Sequence, residues 1–193
     1  ALGGLSQAVG EAIHVLDAMG KDVILVETVG IGQQEVDIIN HAHCVLVVLV
    51  PGMGDDVQAM KAGIMEIADI FVINKADRGG SKQLQTELMG LINSTPLTEG
   101  GWRPPVVMVG NAHEAVAFND KIEELVQKVE EYYTYLQQSG KLTERVYRKI
   151  QVEINDALRA NILEPVIQKL KSSGRMQALV ESVRNKEVDP YTA

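Results

Sequence analysis

The sequence predicts an α/β chain in which a parallel sheet is covered by helices on both faces and followed by a helical arm. Three observations predict it. Short β-branched apolar runs alternate with helical patterns through residues 1–118. Those runs are apolar throughout rather than alternating, as in strands buried on both faces. After Asn119 the apolar residues recur only at helical spacing, so residues 119–193 read as the arm.

Leu5, Ala8, Val9, Ala12, Ile13 and Leu16 recur at helical spacing and define an opening amphipathic helix that ends near Gly20. Four candidate strands follow, at 22–27 (DVILVE), 44–50 (CVLVVLV), 69–74 (DIFVIN) and 105–109. Helical patterns lie between them at 34–40, 57–68 and 82–93. In the arm, Ile122, Leu125, Val126, Val129, Tyr133 and Leu136 line one helix face, and Ser139-Gly140 then breaks the helix. A longer helix from about Thr143 repeats an apolar residue every four positions: Val146, Ile150, Ile154, Leu158, Ile162, Val166 and Leu170. Pro165 is expected to kink it, because proline lacks a backbone donor and crowds the preceding turn. A short helix at about 175–184 and the tail EVDPYTA complete the chain.

The chain has 193 residues, 46% of them hydrophobic, which is enough for one full core and an appendage. Its formal net charge of −8 argues against a nucleic-acid partner, since phosphate backbones are bound by clustered Lys and Arg. No apolar stretch reaches the roughly 20 residues that span a bilayer, and the opening residues lack a signal-peptide layout. A cytoplasmic location without membrane contact is the expectation. Cys44, the one cysteine, sits in an apolar run and reads as a small hydrophobe. His41 and His43 form an H-x-H pair with no further ligands nearby, so a metal role is not expected; His14 and His113 have no evident partners in the sequence.

The sharpest motif is Asn74-Lys75-Ala76-Asp77, directly after the third candidate strand. Open α/β sheets bind ligands at the carboxyl ends of their strands, and this tetrapeptide matches the N-K-x-D guanine signature. An ionised Asp77 can accept hydrogen bonds from both the ring N–H and the exocyclic amine of guanine, a donor pair that adenine lacks. Asn74 would hold the base and the neighbouring loop, and the aliphatic stem of Lys75 would lie against the base plane. The alternative is a polar turn in which Asp77 caps the next helix.

A second motif, Glu27-Thr28-Val29-Gly30-Ile31-Gly32-Gln33, closes the first candidate strand. An acid at that point can hold Mg²⁺, and the glycine three residues on can offer its N–H to a terminal phosphate, roles that fit Glu27 and Gly30. Gln33 could orient an attacking water or simply open a helix. A dinucleotide fingerprint fits less well, because Glu35 stands where its third glycine belongs. A third segment, Pro51-Gly52-Met53-Gly54-Asp55-Asp56, is a polar, glycine-rich strand-to-helix loop on the same side.

Together, LGGLSQAVGEAIHVLDAMGKDVILVETVGIGQQEVD, PGMGDDVQAMKAGIMEIADIFVINKAD and the terminal DPYTA resemble the MeaB/ArgK family of P-loop GTPases, also labelled LAO/AO transport ATPases. The resemblance implies a P-loop NTPase core, binding of GTP and GDP with Mg²⁺, slow GTP hydrolysis, and homodimers formed through C-terminal helices. It also implies a chaperone-type regulator of adenosylcobalamin-dependent methylmalonyl-CoA mutase or a related B12-dependent mutase. The stretch from Glu27 to Gln33 then belongs to one switch. The stretch from Pro51 to Lys61, with Gly52, Gly54, Asp55 and Asp56, forms another. Gly110-Asn111-Ala112 would back the guanine, though it departs from the usual Ser-Ala or Thr-x-Ala form of that loop.

No G-x-x-x-x-G-K-[ST] occurs in the chain. Family members carry that loop upstream, so the expectation is a core lacking its first strand and P-loop, without the backbone cradle and lysine for the β- and γ-phosphates. Two other readings stay open: a nucleotide-independent binding or dimerisation module, and an ATPase or kinase linked to amino-acid transport. The 193-residue chain is expected to show no appreciable GTP turnover, and a version extended upstream through a P-loop to show it. Phosphate-release assays on both, with contaminating hydrolases excluded, check this; turnover by the shorter chain refutes it.

Overall fold

The computed structural model describes residues 4–28, 41–52, 67–94, 101–110 and 114–192. In chain order its elements are α1 (Gly4–Ala18), β1 (Leu46–Leu49), β2 (Ile70–Ile73), α2 (Ser81–Ser94), β3 (Val106–Met108), α3 (Ala115–Gln138) and α4 (Lys141–Leu158). A π-helical turn (Arg159–Leu163), α5 (Glu164–Ser172) and α6 (Arg175–Arg184) follow. The expected helices at 34–40 and across most of 57–68 lie outside the described residues.

The three strands form a parallel sheet in the order β1-β2-β3, with Leu46 beside Ile70 and Phe71 beside Val106. All four residues of β2 are buried, as expected of a central strand with both faces covered. On one face Val47, Leu49, Phe71 and Ile73 meet Leu84, Leu88 and Ile92, which fall four apart along one stripe of α2. On the other, Ile70, Val72, Val107 and Val109 meet Phe118, Ile122, Leu125 and Val129 of α3. Helix α3, grouped by its pattern with the arm, therefore covers the second face of the sheet.

The run 22–27 is not a strand. Leu25 keeps 88% of its surface exposed. A strand needs a neighbour to accept its ladder bonds. Among the described residues β1 pairs only with β2, and nothing is bonded to this run. Its β-branched composition gives it propensity without a partner.

Compact contacts divide the chain into two units, Val23–Arg148 and Ala1–Asp22 with Lys149–Ala193. The first holds the sheet. It is tied together at the amino ends of the strands by Asp69, a buried acid just before β2. The Asp69 carboxylate accepts hydrogen bonds from Val45 N–H at 2.8 Å, the Tyr132 hydroxyl at 2.5 Å, and Arg145 Nη1 and Nη2 at 3.0 and 2.7 Å. Its backbone carbonyl accepts from Trp102 Nε1 at 2.7 Å, and Arg145 Nη1 also donates to the His43 carbonyl at 3.0 Å. Trp102 meets Tyr132 edge-on at 4.9 Å, while Arg145 and Lys141 lie over the Tyr132 and Tyr135 rings, each at 5.4 Å.

These contacts reshape the local acid–base chemistry. Burial, with the negative charge of Asp69 beside it, pushes the Cys44 thiol up to about 12, so Cys44 is a packed thiol and not a nucleophile. Burial, then the hydrogen bond to Asp69, raises the Tyr132 hydroxyl above its ordinary range. Burial alone would lower Arg145, but the hydrogen bonds and charge of Asp69 outweigh it and hold the guanidinium protonated.

In the second unit His14 pairs with Glu153 at 3.0 Å, joining α1 to α4. Pro165 does not end the helix. The chain widens into the π turn just before it, where Glu164 N–H donates to the Arg159 carbonyl, five residues back. Asn161 Nδ2 reaches the Ala157 carbonyl at 2.9 Å, so that acceptor is also satisfied.

Arg145→Met should cost about 3 kcal/mol, the low end for breaking a buried pair, because the arginine keeps part of its surface in water. Tyr132→Phe should cost about 1 kcal/mol, one hydrogen bond. Urea unfolding midpoints at neutral pH check both, and an Arg145→Met midpoint equal to wild type would mean that solvent screens the pair.

Candidate functional site

In a parallel sheet every carboxyl end points the same way, so the loops after β1, β2 and β3 share one edge. Those loops are Pro51–Gly52, Asn74–Asp77 and Val109–Gly110. Three backbone hydrogen bonds lash them together: Asn74 N–H to the Leu49 carbonyl at 2.8 Å, Ala76 N–H to the Val109 carbonyl at 2.9 Å, and Val109 N–H to the Ile73 carbonyl at 2.8 Å. The motif thus sits on two neighbouring strand ends.

Within it, Asn74 is half-buried and its Oδ1 accepts the Lys75 N–H at 2.8 Å. Lys75 adopts a left-handed backbone, φ 55°, a conformation uncommon outside glycine that needs local support. The Asn74 side chain supplies that support, and Arg78 N–H closes the turn onto the Lys75 carbonyl at 3.0 Å. Ala76 packs against the core beneath. Asp77 is exposed, and among the described residues its carboxylate engages no partner. Helix α2 begins only at Ser81, so Asp77 does not cap it. An ionised, open carboxylate on a loop braced by two strands can accept two donors from a planar ligand with little rearrangement.

The loop after β1 turns at Pro51-Gly52, with Gly52 at φ 97°. Pro followed by a positive-φ Gly is the signature of a type II turn. Gly110 directly continues β3 through Val109 and is half-buried. Glu27 is exposed, in the segment that is not a strand. Gly30, Gln33, Gly54, Asp55, Asp56, Lys61, Asn111 and Ala112 lie outside the described residues. The structure therefore brings together Pro51, Gly52, Asn74, Lys75, Asp77 and Gly110, and Glu27 is not joined to them by any hydrogen bond. Among the described residues no group of acids, histidines and cysteines forms a ready-made metal site, and no helix is long and apolar enough to cross a membrane.

Sequence reasoning missed the Asp69 cluster at the opposite end of the strands. A lone acid opening an apolar strand was the available signal, but its partner Arg145 stands 76 residues away and no spacing rule connects them.

Comparison with known proteins agrees with this geometry. A relative from Pyrococcus abyssi, named as a GTPase, is 48% identical over 195 residues, covering 100% of this chain and 58% of the relative. A Mycobacterium tuberculosis protein, also named as a GTPase, is 33% identical over 201 residues, covering 100% of this chain and 56% of its own length. The mouse mitochondrial methylmalonic aciduria type A homolog is 29% identical over 166 residues, covering 84% of this chain and 39% of its own. The chain thus spans less than three-fifths of the first two relatives. The profile described as methylmalonyl Co-A mutase-associated GTPase MeaB matches residues 1–172, and with the N-K-x-D loop standing at the carboxyl edge of a parallel sheet, the chain belongs to the MeaB family.

Proposed function

We propose that the whole protein binds GTP and GDP, hydrolyses GTP, and regulates a B12-dependent mutase of the methylmalonyl-CoA type as a homodimer. The observation that carries the nucleotide part is Asp77, an exposed carboxylate without a partner among the described residues, on a braced loop at the ligand edge of the sheet. Asp77 accepts from the guanine ring N–H and amine, and the Lys75 stem covers one face of the base. Asn74 holds the loop in shape through its bond to Lys75 N–H, and Gly110 with Asn111 and Ala112 backs the base. Gly30 serves the terminal phosphate. Gln33 orients water.

Glu27 is exposed and fits as one oxygen ligand to Mg²⁺. A hard cation of this kind takes its remaining ligands from phosphates and water. When bound, the ion neutralises charge on the phosphates.

The homodimer is supported by the unit Ala1–Asp22 with Lys149–Ala193, in which no described apolar side chain is fully buried. Ile150, Ile154, Leu158, Ile162 and Val166 are instead exposed. A helical unit without a core of its own depends on another surface. The mutase reading follows the family description, and the loop starting at the Pro51-Gly52 turn and running to Lys61 is the segment that would carry nucleotide state to it.

Asp77→Asn in the whole protein should weaken GTP binding at least tenfold and favour xanthosine triphosphate, whose 2-oxo group needs a donor. Calorimetric titration with both nucleotides checks it, and unchanged GTP affinity refutes the assignment. The mutase should bind the GTP and GDP forms with different affinities, and by reciprocity it should shift nucleotide affinity by the same factor. Asp55 or Lys61 substitutions should shrink that difference while leaving GTP binding intact. Equal mutase affinities for both forms would remove the switch.

A further inference from the structure

The loop at the carboxyl end of β2 is tied to the buried acid at its amino end. Asp69 directly precedes the strand and Asn74 directly follows it, a span of roughly 17 Å by the rise of an extended chain. The four residues between them, Ile70, Phe71, Val72 and Ile73, are all buried. Apolar contact is non-directional, so the fine alignment of β2 against β1 falls to hydrogen bonds.

At the amino end two side chains take part in that bonding. Val45 and Asp69 are joined reciprocally: Asp69 N–H donates to the Val45 carbonyl at 3.0 Å, and Val45 N–H donates to Asp69 Oδ2 at 2.8 Å. The carboxylate stands in for a main-chain acceptor just before β1 and β2 begin to pair at Leu46 and Ile70. Its orientation is set by the Arg145 fork, with Nη1 at 3.0 Å from Oδ2 and Nη2 at 2.7 Å from Oδ1. Arg145 Nη1 also donates to the His43 carbonyl at 3.0 Å, so one guanidinium holds the segments leading into both strands. At the carboxyl end the same two strands are joined again, where Asn74 N–H donates to the Leu49 carbonyl at 2.8 Å.

We infer that Arg145 is a positioning residue for guanine recognition: through Asp69 it aligns β2 with β1, and so places the Asp77 carboxylate for two simultaneous hydrogen bonds to the base. Arg145 acts from the amino edge of the sheet, away from the nucleotide. Two bonds to one planar ligand need closer placement than one, because a hydrogen bond weakens steeply when misaligned and a recognition site tolerates a displacement of only about 0.5 Å. A loosened alignment is therefore felt at Asp77 before the strands separate. Lysine is a poor replacement, since a single ammonium lacks the planar fork that bridges both oxygens of Asp69. The inference rests on the Asp77 reading above and adds the group that holds that carboxylate in place.

Inosine diphosphate separates placement from folding. Its base keeps the ring N–H of guanine and lacks the exocyclic amine, so the ratio of GDP to inosine diphosphate affinity reads one of the two Asp77 bonds. Calorimetric titration of the whole protein with each nucleotide, well below its unfolding midpoint, measures that ratio. Wild type should prefer GDP by about tenfold or more, the worth of one such bond. Arg145→Met should lower the preference about fivefold, chiefly through weaker GDP binding, and Arg145→Lys about threefold. If Arg145→Met does not fold, Arg145→Lys, which keeps a positive charge beside Asp69, decides alone. Ile92→Ala opens a cavity on the face of the sheet opposite α3; it should lower the urea midpoint and leave the preference unchanged. A wild type that binds both nucleotides equally overturns the Asp77 reading itself. A wild-type preference that persists in the folded Arg145 variants keeps that reading and overturns the positioning role. An equal loss in Ile92→Ala also overturns it, because the ratio would then follow general loosening of the core.

Discussion

The sheet-bearing unit depends on one buried carboxylate. Asp69 gathers four hydrogen bonds on its side chain, from the backbone before β1, from α3 and from α4. Its own carbonyl takes a fifth from Trp102. A buried carboxylate is costly unless each lone pair finds a donor, and a fully satisfied one specifies which segments must meet. Here it fixes where α3 and the first turns of α4, up to Arg148, sit on the sheet. The Trp102, Tyr132 and Tyr135 rings pack around it, and Arg145 and Lys141 close over them.

The strand β2 separates two acids with opposite tasks. Asp69 stands at its amino end, buried, paired and spent on structure. Asp77 stands beyond its carboxyl end, exposed and unpaired among the described residues. Four buried residues lie between the first acid and the recognition loop, so the strand passes the rigidity of the core to the base-reading turn. Residue type does not assign these roles; solvent and partners do. The strained backbone of Lys75 belongs to the same logic, since the surrounding bonds from β1 and from the residue after β3 over-determine the loop's shape.

The second unit works by a different principle. The sheet unit buries its apolar residues within itself, while the helices from Lys149 onward leave theirs in the open. A π turn costs hydrogen-bond quality, and it persists where the phase it sets is useful or where proline requires it. Pro165, two residues after the π turn at Arg159–Leu163, supplies the second condition. The tail ends in a locally bonded turn, in which Asp189 accepts from Tyr191 N–H and from the Thr192 hydroxyl.

The sequence by itself located the three paired strands by their apolar runs, the helices at Gly4–Ala18, Ser81–Ser94 and Arg175–Arg184 by their spacing, and the N-K-x-D loop at a strand's carboxyl end by its motif. These are local properties, in which side-chain spacing and the residues of a turn carry the information. The run Asp22–Glu27 misled for the same reason, because strand propensity is local but strand formation needs a neighbour. Only the tertiary structure decided that α3 covers the sheet, that Asp69 rather than any motif residue anchors the first turns of α4, and that the helix takes up Pro165 with a π turn. Each of those outcomes depends on contacts between residues far apart in the chain, or on the balance of backbone bonds around one proline, and neither leaves a period in the sequence.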